Sequence, residues 1–96
     1  MPGVVRLGDT DSGHGSCLPR KNNSASSDVF VNGKGVHRQG DTWLPHPGVG
    51  IHCAHSGSTA QGSPTVFVNG KAVARIGDPI SCGGTCATGS SDVIIG

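Results

Sequence analysis

Apolar residues in this chain come in short alternating pieces and never in a helical rhythm. No window places them at i, i+3, i+4 and i+7, and Gly, Ser, Pro, Asn and Thr interrupt every segment. What recurs is Val-Phe-Val followed by Asn-Gly-Lys, at Val29 to Lys34 and again at Val66 to Lys71. Asn-Gly between apolar runs marks a two-residue hairpin, because a type I′ turn needs positive φ at both central positions. With Asn32-Gly33 as the turn, Val31 lies opposite Lys34, Phe30 opposite Gly35 and Val29 opposite Val36. The second copy sets Phe67 opposite Ala72 and Val66 opposite Val73. A large ring across from a minimal residue, twice, predicts a packing requirement at that pair. The predicted class is all-β with long loops.

The repeat is longer than the hairpin. Ser27 to Asp41 aligns without gaps to Pro64 to Asp78, and both copies end in Arg-x-Gly-Asp. A third copy is divided between the ends of the chain: Ser90 to Gly96 matches the outgoing strand, and Pro2 to Asp9 matches the returning strand with its Arg-x-Gly-Asp. Gly96 then falls on Asn32 and Asn69, and Met1 on Gly33 and Gly70. The Gly of Arg-x-Gly-Asp stands at positions 8, 40 and 77, so the register closes on itself through the termini. This predicts a single domain over residues 1–96, three hairpin repeats around a pseudo-threefold axis, with Val4 pairing with Val93 and the two ends adjacent.

Composition sharpens the picture. With 96 residues, 33% hydrophobic, 3% aromatic and 17 Gly, the chain cannot build a thick core and needs a metal, disulfides or a partner as a second source of stability. A net charge of +1 with 14% charged residues offers no basic field for a nucleic-acid backbone. The start, Met-Pro-Gly-Val-Val-Arg, has no basic segment followed by a long apolar one, and no run approaches the length of a membrane span, so the expectation is a chain made and held in the cytoplasm. Four Cys with five His under reducing conditions favour metal binding over two disulfides.

The loops after each Arg-x-Gly-Asp carry those residues. His14 and His46 each stand five residues after the Asp, while His55 and Cys82 each stand seven before the Gly of the Gly-Ser that opens the next strand. Each repeat thus sends an imidazole or a thiolate toward the same end of the ring. His14, His46, His55 and Cys82, with His52 as the alternative to His46, are the candidate N/S ligands of a closed tetrahedral zinc site. His37 takes the strand position of Ala74 and reads as a plain strand residue whose replacement changes little. Cys17, Cys53 and Cys86 read as small buried thiols, with Cys53 a substitute ligand.

A zinc hydrolase would need an open coordination position and a carboxylate base. Asp9, Asp41 and Asp78 belong to the repeat, Asp11 is the one nearby spare and Glu is absent, so the chain reads as non-catalytic. A disulfide-stapled secreted inhibitor is disfavoured by the lack of a signal segment. Val31, Val68 and Ile95, beside the hairpin turns, are left without sequence to cover them and are the candidate partner-binding residues.

Three Arg-x-Gly-Asp repeats after strands of Val-Phe-Val-Asn-Gly-Lys type, with Gly-His-Gly-Ser-Cys at 13–17 and Ser-Cys-Gly-Gly-Thr-Cys at 81–86, resemble the PAAR-repeat family over the entire chain. The naming tetrapeptide is degenerate here, as Gly3 to Arg6, Gly35 to Arg38 and Ala72 to Arg75, with Arg kept and Pro in none. The resemblance implies a short β-rich cone whose blunt base caps a homotrimeric β-helical spike, VgrG-like or the central spike of a phage tail, one copy per trimer. It also implies an apex holding one structural zinc through three His and one Cys, which fits His14, His55 and Cys82 with His46 or His52. Such a tip would wait in the cytoplasm until firing and then leave the cell or enter a target cell, or would sit on a virion tail tip. It would touch a target membrane only in passing and could recruit effectors; no residues are left over for a toxin domain of its own.

Overall fold

The computed structural model describes residues 2–13, 19–44, 57–81 and 83–96. Its described part is all-β, built from six two-residue strands with no helix among them: β1 (Phe30–Val31), β2 (Lys34–Gly35), β3 (Thr42–Trp43), β4 (Gly57–Ser58), β5 (Phe67–Val68) and β6 (Lys71–Ala72). Each consecutive pair forms an antiparallel two-stranded sheet.

The Asn-Gly turns form as the residue types dictate. Asn32 and Asn69 sit at φ of 54° and 55°, and Gly33 and Gly70 at 76° and 77°, the left-handed pair that a type I′ turn requires. They set the register Phe30↔Gly35 and Val31↔Lys34 in one hairpin, and Phe67↔Ala72 and Val68↔Lys71 in the other. One backbone bond further on, Val36 N–H donates to Val29 C=O and Val73 N–H to Val66 C=O, both at 3.0 Å. The third hairpin is the split one. Gly3 bridges Ile94, Val4 N–H donates to Val93 C=O, and Ile95 N–H donates to Pro2 C=O, so the two ends of the chain pair as the circular register predicted.

The three repeats then join in a ring. Val4, Val36 and Val73 bridge Arg75, Arg6 and Arg38 in turn. On the axis, His37 N–H donates to Val5 C=O, Ala74 N–H to His37 C=O and Val5 N–H to Ala74 C=O, each at 3.0 Å, a closed cycle of three bonds between three fully buried residues. The core lies on both sides of this cycle: Val4, Val36 and Val73 toward the hairpin turns, and Trp43, Ile80 and Cys86 with Val5 and Ala74 on the other.

The Arg-x-Gly-Asp segment is a turn closed twice. The Asp N–H donates to the Arg C=O at 3.0 Å in all three copies, with Gly8, Gly40 and Gly77 at positive φ of 88°, 88° and 96°, as a type II turn demands. The same Asp accepts from the Arg backbone N–H and takes the guanidinium in a two-pronged pair, with Nε on one oxygen and Nη2 on the other.

Two expectations change. Phe30 and Phe67 do not pack over their small partners: both rings are 58% exposed on the outer face of their hairpins. The partner is small for another reason, since a Cβ on Gly35 would collide with the Ser26 carbonyl oxygen of the incoming chain. The second repeat compensates by putting Ala at 72 and Gly at 62, where a Cβ would lie 2.9 Å from that of Ala72. The other addition is the β3–β4 sheet, Thr42↔Ser58 and Trp43↔Gly57, which closes the base of the longest loop and had no turn signal to announce it.

Candidate metal centre and apolar base

One end of the ring launches the three loops. Asp11, Trp43 and Ile80 occupy equivalent positions two residues beyond the Asp of each turn, all buried, and they bridge Cys86, Asn22 and Thr59. One residue further, Ser12, Leu44 and Ser81 donate their N–H groups to Thr85, Lys21 and Ser58. Every loop therefore leaves from the same layer. His14, His46, His52, His55 and Cys82, together with Cys17 and Cys53, lie in the loops outside the described residues; among the described residues no three metal-ligating side chains come together.

The residues flanking those loops are tied to one another. Asp11 Oδ1 accepts from the N–H of Gly13, directly before His14, and from the N–H of Arg20, while its Oδ2 takes Arg20 Nε at 3.0 Å. Arg20 Nη1 donates to the Leu44 C=O at 3.2 Å, where the second loop begins, and the guanidinium carbon lies 5.9 Å from the Trp43 ring centroid. A Cβ on Gly84, two residues after Cys82, would lie 3.3 Å from Asp11 Oδ2. Asp11 is thus no spare carboxylate. It is half of an ion pair whose side chains are 0% and 1% exposed, and it holds the margins of the loops that carry the candidate ligands.

Beneath this pair lies a second polar network. His37 Nδ1 donates to the Ser24 C=O at 2.8 Å, so its Nε2 accepts, at 2.7 Å, from the Thr59 hydroxyl. The Thr59 oxygen in turn accepts from Trp43 Nε1 at 2.9 Å, and the two rings meet edge-on with centroids 5.1 Å apart. Burial holds the imidazole below its ordinary pKa. The expectation that His37 is an expendable strand residue is overturned, since it sits on the axis with both ring nitrogens engaged. Burial likewise pushes the Cys86 thiol up to about 12, which makes it the inert buried thiol the sequence suggested. Burial also opposes the charge on Asp9 and Asp41, yet the hydrogen bonds from Arg6 and Arg38 win and hold both carboxyls below their ordinary value.

The opposite end is apolar. Val4, Val36 and Val73 form a floor; Val29, Val66 and Val93, then Val31, Val68 and Ile95, form walls on the inner faces of the three hairpins. They enclose an open dish of about 180 Å³ with no polar lining, and Val31, Val68 and Ile95 are partly buried against its floor. These nine residues are three sets of threefold equivalents.

The PAAR motif model matches residues 7–88. The chain belongs to the PAAR-motif family. PAAR proteins are structural tips of the spikes of contractile injection systems. The matched span covers both Asn-Gly hairpins and all three loops but stops short of the split hairpin, whose pairing rests on the bridge between Gly3 and Ile94. No curated protein matches the chain.

Proposed function

We propose that this PAAR protein is a non-catalytic, zinc-stabilised tip that caps a homotrimeric β-helical spike, one copy per trimer, and sharpens it for membrane penetration by a contractile injection system. The observation that carries the reading is the dish. Nine aliphatic side chains in three equivalent sets form an apolar surface that the described residues leave open, and an end with three matching chains covers it where a single asymmetric partner would not. Val31, Val68 and Ile95 are the contact residues.

The zinc reading is supported from the other end. The layer of Asp11, Trp43 and Ile80 sends three loops off together, and the donors those loops carry, imidazole and thiolate, suit a closed structural zinc site. His14, His55 and Cys82, with His46 or His52, would hold the ion. The chemistry it supplies is folding free energy, on the order of 10 kcal/mol for such sites, where a chain with so few large side chains has little else to spend. The carboxylate of Asp11 is engaged by Arg20 and the Gly13 N–H, a structural duty that ties the margins of the loops together.

The test combines mass and metal. Native mass spectrometry of the protein with its trimeric spike should give one chain per three, with one zinc, and Val31→Asp with Val68→Asp should abolish the complex. A 3:3 assembly, or binding that survives both substitutions, would overturn the capping reading. Zinc-free protein of unchanged thermal stability would overturn the metal reading by itself.

A further inference from the structure

The three seams between neighbouring hairpins are not alike. At the first, Asn32 in the turn of one hairpin accepts from Arg6 Nη1 at 3.1 Å and donates to Asp92 Oδ1 at 2.9 Å, both on the neighbouring hairpin. At the second, Asn69 does the same with Arg38 Nη1 at 2.9 Å and Asp28 Oδ1 at 3.0 Å. Each Asp is itself held by the hydroxyl of Ser26 or Ser90 at 2.8 Å. One carboxamide side chain thus latches each of these two seams, its oxygen on an arginine and its nitrogen on an aspartate.

At the third seam the equivalent residues are Gly96, Arg75 and Thr65, and the latch is missing. Gly96 has no side chain and Thr65 has no carboxylate; the Ser63 hydroxyl, freed of an Asp, donates to the Gly96 carbonyl oxygen at 2.6 Å. Arg75 keeps its Asp78 through Nε and Nη2, but its Nη1 has no acceptor among the described residues. Its side chain is 22% exposed, against 16% and 13% for Arg6 and Arg38. It also lacks the second carboxylate that Asp92 and Asp28 set near the other two guanidinium groups. This corner borders the dish, since Thr65 and Gly96 are chain neighbours of the lining residues Val66 and Ile95.

We propose that the corner formed by Arg75, Thr65 and Gly96 accepts an amide carbonyl from the partner seated on the dish, which takes the place that the Asn side chain fills at the other two corners. The inference rests on the capping reading. The terminal strands of a β-helix offer unpaired main-chain carbonyl groups, and a neutral acceptor suits a threefold partner because its two other copies meet Asp28 and Asp92 without like-charge repulsion. A symmetric trimer seats in three equivalent ways, and in each of them one protomer alone is bound at Arg75. The capped spike is therefore asymmetric at its tip.

The test fills the corner from within. Gly96→Asn with Thr65→Asp rebuilds the latch without touching the Arg75–Asp78 pair, and a Cβ at position 96 meets nothing within 4 Å. Against the isolated trimeric β-helical end of the cognate spike, the doubly substituted protein should bind about tenfold more weakly, as expected for loss of a hydrogen bond to a charged group, while melting no lower than the parent. In nitrogen-15 spectra, the Arg75 Nη1 protons should exchange quickly in the free protein and slowly in the complex, with those of Arg6 and Arg38 slow in both. Unchanged affinity of the latched variant, with Val31→Asp and Val68→Asp abolishing binding, would overturn the corner and leave the capping reading standing. Binding that survives the dish substitutions overturns both.

Discussion

The two ends of the molecule obey the same pseudo-threefold operation and use it in opposite ways. At the dish, equivalent positions hold nearly the same side chain, Val4, Val36 and Val73, or Val31, Val68 and Ile95. At the loop layer, equivalent positions hold a carboxylate, an indole and an aliphatic chain, Asp11, Trp43 and Ile80, facing Cys86, Asn22 and Thr59. The backbone repeats at both ends, so backbone geometry did not force the difference. A surface proposed to meet a symmetric partner gains from keeping its repeat. A layer that supports three loops of unequal length is free to diversify, provided each polar newcomer finds its own partner.

That contrast can be broken most severely at the loop layer. Asp11→Ala breaks a buried ion pair by taking the carboxylate from Arg20 and releases the N–H of Gly13, so a loss of about 3 to 5 kcal/mol is expected in urea unfolding, with zinc content falling as the loop margins come apart. Full stability of that variant would show that the pair carries nothing. The next effect in size is pH-dependent. Because the folded imidazole of His37 is held below its ordinary value of 6.5, the unfolded chain binds a proton there that the folded chain refuses. Its contribution is complete above about pH 6.5 and is lost as the pH falls through the depressed folded value, by at most about 1.4 kcal/mol per pH unit. Urea unfolding in saturating zinc at pH 7.5 and pH 5.5 should show this decline, and His37→Gln should be less stable at pH 7.5 but flatter with pH. Equal slopes would place the titration elsewhere. The smallest effect belongs to the dish side: Asn32→Ala opens one exposed seam and should cost about 0.5 to 1.5 kcal/mol, with Asn69→Ala matching it as its symmetry mate. A large difference between the two would break the equivalence.

The same contrast explains what could be read from residues alone. Asn32-Gly33 and Asn69-Gly70 dictate their turns locally, and from them follow the registers, the pairing of Val4 with Val93 and, of the nine dish residues, Val31, Val68 and Ile95. All of that is repetition, and repetition is visible in a single sequence. Asp11 was not legible, because nothing near it in sequence marks Arg20 as its partner across a loop. His37 looked dispensable since Ala74 fills the equivalent place, yet Trp43 and Thr59, each found once, close a network around it. Phe30 and Phe67 misled for the opposite reason: they repeat, and repetition suggested packing, but the Ser26 carbonyl oxygen explains the small Gly35, and the close approach of Gly62 the small Ala72.

The cycle of backbone bonds through Val5, His37 and Ala74 has a mechanical meaning. In a linear ladder pulled from one end, bonds open one after another like a zipper, each bearing the whole load in its turn. A closed triangle of equal 3.0 Å bonds around the axis has no free end at which to start, so a push along that axis loads all three strands in parallel. The pairing of Pro2 with Ile95 and of Gly3 with Ile94 lies beside the dish, so the same load would press the strands of the split hairpin together.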